Sequence, residues 1–424
     1  MAIATVARNL AVVAERNESL KKTIVNLMGQ AVWAASQAIC ILVLSHHDMA
    51  STIGVYTLGL SIFAPLCLLF GLNLRVVMSL ESVDGTVAND ALTLRLAGVL
   101  FSYALTALVI FSLSDPASSE KWIALALIAG RIGDQVSDLI VGIYQRDNRQ
   151  ERIAISFASR GVAGMLPFLG VIYLGGSFIQ AATLSSACVI ATSILLDVYM
   201  SMQPCLARHI IGRPSFARVR RLIMDNFWVG MFPALDSVHT NCFRFGIFLT
   251  SSAQIMGFVG AAQTLFVPFQ MMATAVGFIY LPEAIKVHRG GNKSAYTLNI
   301  FKGISVGLAI GLAFFLFSVS INDRMLTLVF GNASVEMRTG LYWTAVAMIL
   351  VHSSGFIGLS VVARGATRVY TAAPVVGIFA FVVLLAPEYL LDVESPNIGM
   401  AVAISFAGSV LARLVFSLAY LFLK

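Results

Sequence analysis

Three ionisable residues lie close together in an apolar stretch of the sequence between positions 122 and 144. Arg131, Asp134 and Asp138 follow one another at intervals of three and four residues. On an α-helix each residue turns by about 100°, so these side chains share a stripe about 60° wide. Charges are costly in an apolar setting unless they face a partner, a substrate or water. The stripe therefore predicts either an ion-binding surface or a salt bridge within one helix.

Other apolar stretches carry polar side chains that could also contact a substrate or an ion. A guanidinium can hold an anionic group, whereas a carboxylate or an imidazole can exchange protons. This second set comprises Asp236, His239 and Arg244 in 226–250, Arg160 in 153–173, and Gln263 and Gln270 in 254–281. The alternative is purely structural, with Asp134 paired to Arg131 or Arg160. Asp236 would then pair with Arg244, and these pairs would only lock helices together.

Two motifs for known catalytic chemistry are missing from the sequence. It contains no phosphate-binding GxxxxGK[ST] loop and no HExxH zinc motif. The five cysteines show no metal-ligand spacing and lie in or beside apolar runs, as small core fillers do. We therefore predict no enzymatic activity, no cofactor and no metal site.

The overall composition excludes a soluble protein. Of the 424 residues, 58% are hydrophobic and only 12% are charged, whereas soluble domains carry about twice that share of charge. So few charges cannot cover a water-facing surface, but they suit one that faces hydrocarbon. The formal net charge is +7, but we do not expect the protein to bind nucleic acid.

The hydropathy pattern predicts about twelve membrane spans. Each has about the 20 residues needed to cross the hydrocarbon core, and each must be helical because lipid offers no partners to free backbone groups. The predicted spans are 23–44, 51–74, 94–113, 122–144, 153–173, 177–202, 226–250, 254–281, 298–321, 339–362, 369–387 and 397–423.

Lysine and arginine are distributed very unevenly between the two sets of loops. With the N-terminus counted as the first side, that side carries 21 of the 28 basic residues and the other side carries 3. Basic residues are retained on the cytoplasmic side of a membrane protein. The asymmetry therefore predicts a multi-pass membrane protein with both termini in the cytoplasm.

An internal repeat is indicated by two similar segments 203 residues apart. Gly54, Phe63 and Pro65 coincide with Gly257, Phe266 and Pro268 at this constant offset. The repeat predicts an all-α fold of two six-helix lobes related by a pseudo-two-fold axis along the membrane normal. The predicted parts are an amphipathic N-terminal segment at 1–22, an N-lobe at 23–205, a basic cytoplasmic linker at 206–225 and a C-lobe at 226–424.

Two stretches resemble the polysaccharide-exporting flippases of the O-antigen translocase type. They are Leu60-Ser61-Ile62-Phe63-Ala64-Pro65 through Phe70-Gly71-Leu72-Asn73-Leu74-Arg75, and Ser137-Asp138-Leu139 through Gly142-Ile143-Tyr144-Gln145-Arg146 to Ser159-Arg160-Gly161. These flippases belong to the multidrug/oligosaccharidyl-lipid/polysaccharide (MOP) exporter superfamily. The resemblance covers roughly 50–165. It implies alternating access between the lobes, and cationic cavity residues that would map to Arg131, Arg160 and Arg244.

The resemblance implies a flippase of the bacterial inner membrane for an oligosaccharide linked to polyprenyl pyrophosphate. Three alternative functions stay open. These are a drug/cation antiporter of the same superfamily, an integral-membrane polysaccharide polymerase or ligase, and a non-transporting scaffold. We expect a monomer whose partners are membrane lipids and the lipid-linked oligosaccharide. The expected substrate-binding residues are Arg131, Arg160, Arg244, Gln263 and Gln270, and the expected ion-coupling residues are Asp134, Asp138, Asp236 and His239.

Overall fold

The described part of the chain consists of helices joined by short turns, in a computed structural model. The structure describes residues 2–80, 85–113, 118–147, 149–198, 214–321, 324, 326–327, 335–390 and 398–423. The helices are α1 (Ala2–His46), α2 (Ala50–Phe70), α3 (Leu74–Leu80), α4 (Gly85–Leu113), α5 (Glu120–Arg146), α6 (Gln150–Tyr173), α7 (Phe178–Thr192), α8 (Phe216–Thr250), α9 (Ala253–Gln263), α10 (Val267–Arg289), α11 (Lys293–Ser320), α12 (Val335–Ala363), α13 (Thr367–Leu390) and α14 (Ile398–Leu423). The predicted all-α class is confirmed.

Ten helices in this part of the chain are long and apolar enough to cross a membrane, and each coincides with a predicted span. The other two predicted spans correspond to α5, with 27 residues, and α8, with 35. Both are long enough to cross, but they carry the ionisable side chains singled out by the sequence and are less apolar for that reason. The twelve predicted spans are therefore ten apolar helices and two polar ones.

Two predicted boundaries differ from the structure. The N-terminal segment 1–22 is not a separate surface helix, because α1 runs without interruption from Ala2 to His46. The predicted span 254–281 is broken by a 3-10 turn at Thr264–Phe266. Pro268 lies just after the turn and has no N–H to donate, which weakens the α-helical hydrogen-bond ladder at this point. Residues 206–213 of the predicted linker lie outside the described residues.

The crossing of α2 and α9 reproduces the sequence repeat. The two helices begin at Ala50 and Ala253, which are 203 residues apart. At the crossing, Gly54 lies against the backbone of Ala253, and Gly257 lies against the backbone of Ala50. Each contact is thus the counterpart of the other, as in an isologous interface. This reciprocity supports the predicted duplication.

The helices form two compact units, each assembled from separate parts of the chain. The first unit comprises Met1–Gln37, Leu74–Leu96 and Ala129–Leu222, and the second unit comprises Ala38–Asn73, Ala97–Ile128 and Ile223–Lys424. The core of the second unit includes Phe243, Met256, Phe381, Val402 and Phe406. These units group residues that lie close together in space and do not have the bounds of the predicted lobes. The lobe boundaries stay a prediction.

Candidate functional site

The polar centre of the first unit is the carboxylate of Asp134 on α5. Arg131 Nη1 donates to Asp134 Oδ2 at 3.1 Å, one turn away on the same helix. Arg160 Nη1 on α6 donates to Asp134 Oδ1 at 2.7 Å, and Trp33 Nε1 on α1 donates to the same oxygen at 3.3 Å. Three helices therefore meet at one carboxylate. Both predicted structural partners of Asp134 are confirmed.

The two arginines bound to Asp134 differ in exposure. The side chain of Arg131 is 15% exposed and that of Arg160 only 2%. Arg131 Nη2 also donates to Gln37 Oε1 at 3.0 Å, and its guanidinium lies 5.3 Å from the centre of the Trp33 ring. Of these two guanidinium groups, that of Arg131 is the more accessible to a ligand, while that of Arg160 is enclosed by protein.

Asp138 lies one turn further along α5 and is held by two other arginines. Arg75 Nη1 on α3 and Arg95 Nη2 on α4 each donate to one carboxylate oxygen at 2.9 Å. Arg95 also donates to Gln135 Oε1 at 2.7 Å. Asp138 and Arg75 come from the two different stretches on which the flippase resemblance rests. Their contact shows that these stretches meet in the folded chain. Asp138 therefore has a structural role, because it links α5 to α3 and α4.

We expect Asp138→Asn to lower the melting temperature, because an amide offers only one acceptor oxygen and turns its NH₂ group toward an arginine. Leaving one buried arginine partner unsatisfied costs about 1–3 kcal/mol. Thermal unfolding of the purified protein would show this, with Asp147→Asn as the control because the Asp147 side chain is 36% exposed. The ion-coupling role of Asp138 stays a prediction. It would gain support if Asp138→Asn kept the wild-type melting temperature but lost ion-driven transport.

In the second unit, Asp236 and His239 on α8 both contact Arg413 on α14. Arg413 Nη1 forms an ion pair with Asp236 Oδ1 and lies 3.2 Å from His239 Nδ1. Because a guanidinium can only donate, His239 Nδ1 must accept and the ring proton must lie on Nε2. His239 Nε2 then donates to Ser409 Oγ at 3.1 Å. This arrangement holds the imidazole neutral, in one tautomer.

Arg244, two turns beyond Asp236 on α8, makes a different kind of contact. Its Nε donates to Gln263 Oε1 at 2.6 Å, and its Nη1 donates to Asn241 Oδ1 at 2.8 Å. The predicted pair with Asp236 is therefore wrong, since Asp236 pairs with Arg413. Gln263 lies at the end of α9, next to the 3-10 turn, whereas Gln270 lies on α10 with an exposed side chain.

Sequence reasoning missed three arginines and one aspartate. Arg75 directly follows a predicted span, and Arg95 lies in the first turn of another. Arg413 and Asp197 lie toward the ends of predicted spans, where a side chain can extend to the headgroups, but these residues are only 7% and 2% exposed and have partners in the protein. A long charged side chain near the end of a span can either extend to the headgroups or pair inside the protein. The position of the neighbouring helices decides between these two outcomes.

The ionisable side chains of the predicted spans differ in whether an opposite charge lies beside them. Each of the carboxylates of Asp134, Asp138 and Asp236 has an arginine within salt-bridge distance. Within the described ranges, Arg244 forms no ion pair and is bound only by neutral amide oxygens. An uncompensated guanidinium with neutral partners can accept an anionic group without first giving up a carboxylate.

Comparison with known sequences gives one relative with a named role. The chain matches no protein-family profile. A capsular polysaccharide biosynthesis protein of Staphylococcus aureus, CapF, is 20% identical over 363 residues, which cover 84% of this chain and 90% of that protein.

Several solved structures share the fold. A MOP superfamily transporter from Pyrococcus furiosus has a TM-score of 0.62 at 14% identity, with 95% of each chain covered. An inward-facing multidrug resistance transporter of the MATE family, within the MOP superfamily, has a TM-score of 0.64 at 13% identity, covering 95% of this chain and 94% of that one. The chain therefore has the multi-pass membrane fold of the MOP superfamily transporters. The resemblance to the polysaccharide flippases of this superfamily is confirmed.

Proposed function

We propose that this chain is a flippase that moves a polyprenyl-pyrophosphate-linked oligosaccharide from the inner to the outer leaflet of the bacterial inner membrane. Transport would proceed by alternating access and would be ion-coupled. The twelve predicted spans and the asymmetry of basic loop residues support a membrane transporter with both termini in the cytoplasm. We further propose that it acts as a monomer and catalyses no chemical reaction.

The observation that carries the proposal is the state of the charges inside the spans. The carboxylates of Asp134, Asp138 and Asp236 are already neutralised by arginines of the same unit. A cationic substrate would have to displace these arginines, whereas an anionic pyrophosphate can bind Arg244 beside its neutral partner Gln263. The capsule-related name of the relative from Staphylococcus aureus supports the same class of substrate.

The second candidate is a drug/cation antiporter of the same superfamily. Multidrug resistance transporters of the MATE family share the fold along most of the chain, and one of them has a TM-score of 0.64. For this activity one of the arginine–carboxylate pairs would have to open and expose its carboxylate to the cation. A polysaccharide polymerase or ligase is a weaker candidate, because the two solved structures compared above are transporters.

The proposed roles of the individual residues follow from their surroundings. Arg131 and Arg244 are the arginines best placed to bind the pyrophosphate, and Gln263 and Gln270 would hydrogen-bond to phosphate or sugar oxygens. Arg160 would join them only after a rearrangement, because its side chain is 2% exposed. Asp134, Asp138, Asp236 and His239 remain the proposed ion-coupling residues, and each would act by exchanging its present partner for a proton or an ion.

The decisive experiment is reconstitution in liposomes with a fluorescent lipid-linked oligosaccharide and a leaflet-selective quencher. We expect the wild-type protein to flip this lipid and to export no cationic dye. Export of the dye without flipping would overturn the proposal in favour of the antiporter.

We expect Arg244→Ala to reduce the flipping rate roughly tenfold to a hundredfold, because a hydrogen bond to a charged group contributes about 1.5–3 kcal/mol. Arg244→Lys should recover only part of the rate, since an ammonium cannot bind two phosphate oxygens in the fork geometry of arginine. Arg220→Ala is the matched control, because it removes an exposed arginine from the same helix. Equal rates for Arg244→Ala and Arg220→Ala would remove Arg244 from the substrate site.

A further inference from the structure

Asp197 is a buried carboxylate on an unusual turn of the first unit. It lies in a π-helical turn, Ser193–Val198, that directly follows α7, and the residue is 2% exposed. Turns of this kind widen a helix by one residue and are frequent at functional sites. Ser156 Oγ on α6 donates to Asp197 Oδ2 at 2.9 Å. The π-turn therefore turns an acidic side chain toward α6, inside the protein.

The nearest cation to this carboxylate is already engaged elsewhere. Arg160 Nε lies 3.8 Å from Asp197 Oδ2, beyond hydrogen-bond distance, and donates to the backbone oxygen of Ser156 at 3.0 Å. Arg160 Nη1 is bonded to Asp134 at 2.7 Å. Arg160 Nη2 is buried and has no hydrogen-bond partner in the described part of the chain. One guanidinium thus lies between two carboxylates, bonds to one of them and keeps an unused donor.

The groups that face Asp197 compensate its negative charge less well than the arginines bound to Asp134 compensate that of Asp134. On α6 they are Arg160 and Ser156. On α5 they are Asp134, Ser137 and Tyr144, and the Tyr144 hydroxyl donates to the Asp197 backbone oxygen at 3.5 Å. Asp134 is bonded to two guanidinium groups, whereas Asp197 is bonded to a neutral hydroxyl. A buried anion needs a hydrogen-bonded counter-charge. Asp134 has one, whereas the guanidinium nearest to Asp197 lies 3.8 Å away and is hydrogen-bonded to other groups.

We propose that Asp197 is a proton-binding site of the transporter and that Arg160 is the partner it exchanges for the proton. Asp197 carries the proton while Arg160 bonds to Asp134. When the guanidinium turns to Asp197, the carboxyl group releases its proton to water and accepts an N–H of Arg160 in its place. This inference rests on the proposed ion coupling and assigns it to a residue outside the sequence-predicted set. It requires one bond exchange within the first unit.

The test is infrared spectroscopy of the full-length protein in liposomes, which detects the C=O stretch of protonated carboxyl groups. We expect the wild-type protein to show this band with a pH titration, and Asp197→Asn to remove it. Asp90→Asn is the matched control: Asp90 is also fully buried, but Arg218 and the Ser215 amide bond to its two oxygens. A titrating band of wild-type intensity in Asp197→Asn would overturn the proposal.

Ser156→Ala provides a second variant in case Asp197→Asn does not fold. It removes the hydroxyl that stabilises the anionic form of Asp197, so the midpoint of the band should move to higher pH. An unchanged midpoint in Ser156→Ala would contradict the assignment of the band to Asp197.

Transport measurements then connect the proton site to flipping. With the fluorescent lipid-linked oligosaccharide, Asp197→Asn should lose the acceleration that a proton gradient gives the wild-type protein. Full acceleration in Asp197→Asn would overturn the coupling role. The infrared result needs no substrate, so a protein that titrates at Asp197 but flips no lipid would refute the proposed flippase function and leave the proton site standing.

Discussion

Arg160→Ala should lower the free energy of unfolding by about 3–5 kcal/mol, the usual cost of removing one partner from a buried ion pair. Arg160 is 2% exposed, and its loss leaves Asp134 Oδ1 with only the indole donor of Trp33. It also removes the cation nearest to Asp197, 3.8 Å away. The shift should appear as a lower melting temperature in tryptophan fluorescence of the purified protein.

A second variant separates charge from side-chain packing. Arg160→Gln keeps a long side chain with an amide donor but removes the positive charge, so a loss of stability close to that of Arg160→Ala would assign the effect to the charge. The sequence-based role of Arg160 as a phosphate ligand predicts a different result for Arg160→Ala, namely a normal melting temperature with lost flipping. That result would show that the pair with Asp134 contributes little to stability.

Gly54→Val should separate α2 from α9 and destabilise the protein by several kcal/mol. A Cβ atom at Gly54 would overlap the backbone carbonyl of Ala253, and one at Gly257 would overlap that of Ala50. Backbone atoms cannot move aside as flexible side chains do, so the cost should reach or exceed the roughly 1–3 kcal/mol of ordinary overpacking. Gly257→Val should have a similar effect, because its contact is the counterpart of the first.

Gly170→Ala is the matched control for both glycine variants. No atom lies within 4 Å of a Cβ added at Gly170 on α6, and alanine favours a helix by up to about 1 kcal/mol over glycine. Its melting temperature should equal or exceed that of the wild-type protein. If Gly54→Val melted at the same temperature as Gly170→Ala, the close approach of α2 and α9 would be wrong.

The helices could be predicted from the sequence because their signals are local. Hydropathy over about 20 residues reflects the thickness of the bilayer, and ten of the twelve predicted spans recur as apolar helices. The Arg131–Asp134 pair was also accessible, since its partners lie one turn apart on α5. The 3-10 turn before Pro268 was harder to foresee, because Pro65 lies at the equivalent position in α2 without such a break.

The partners of the polar residues could not be predicted because they come from distant parts of the chain. Asp236 pairs with Arg413, 177 positions away, and not with Arg244 on its own helix. Spacing places Asp236 and Arg244 on one broad face of α8, but two turns of helix hold their side chains apart. Which neighbouring helix supplies the counter-charge depends on tertiary packing, and no periodicity in a single sequence records it.

The reciprocal contacts between α2 and α9 resemble the interface of a symmetric homodimer, although both helices belong to one polypeptide. In a true homodimer, a residue on the two-fold axis must meet its own copy, so a bulky side chain there meets another equally bulky one. Thr57 and Gly260 are equivalent at the offset of 203 residues and lie against each other. In this chain the two positions carry different residues, and Thr57 occupies the space that Gly260 leaves open. Because both positions belong to one polypeptide, the pair at the centre of the contact need not be identical.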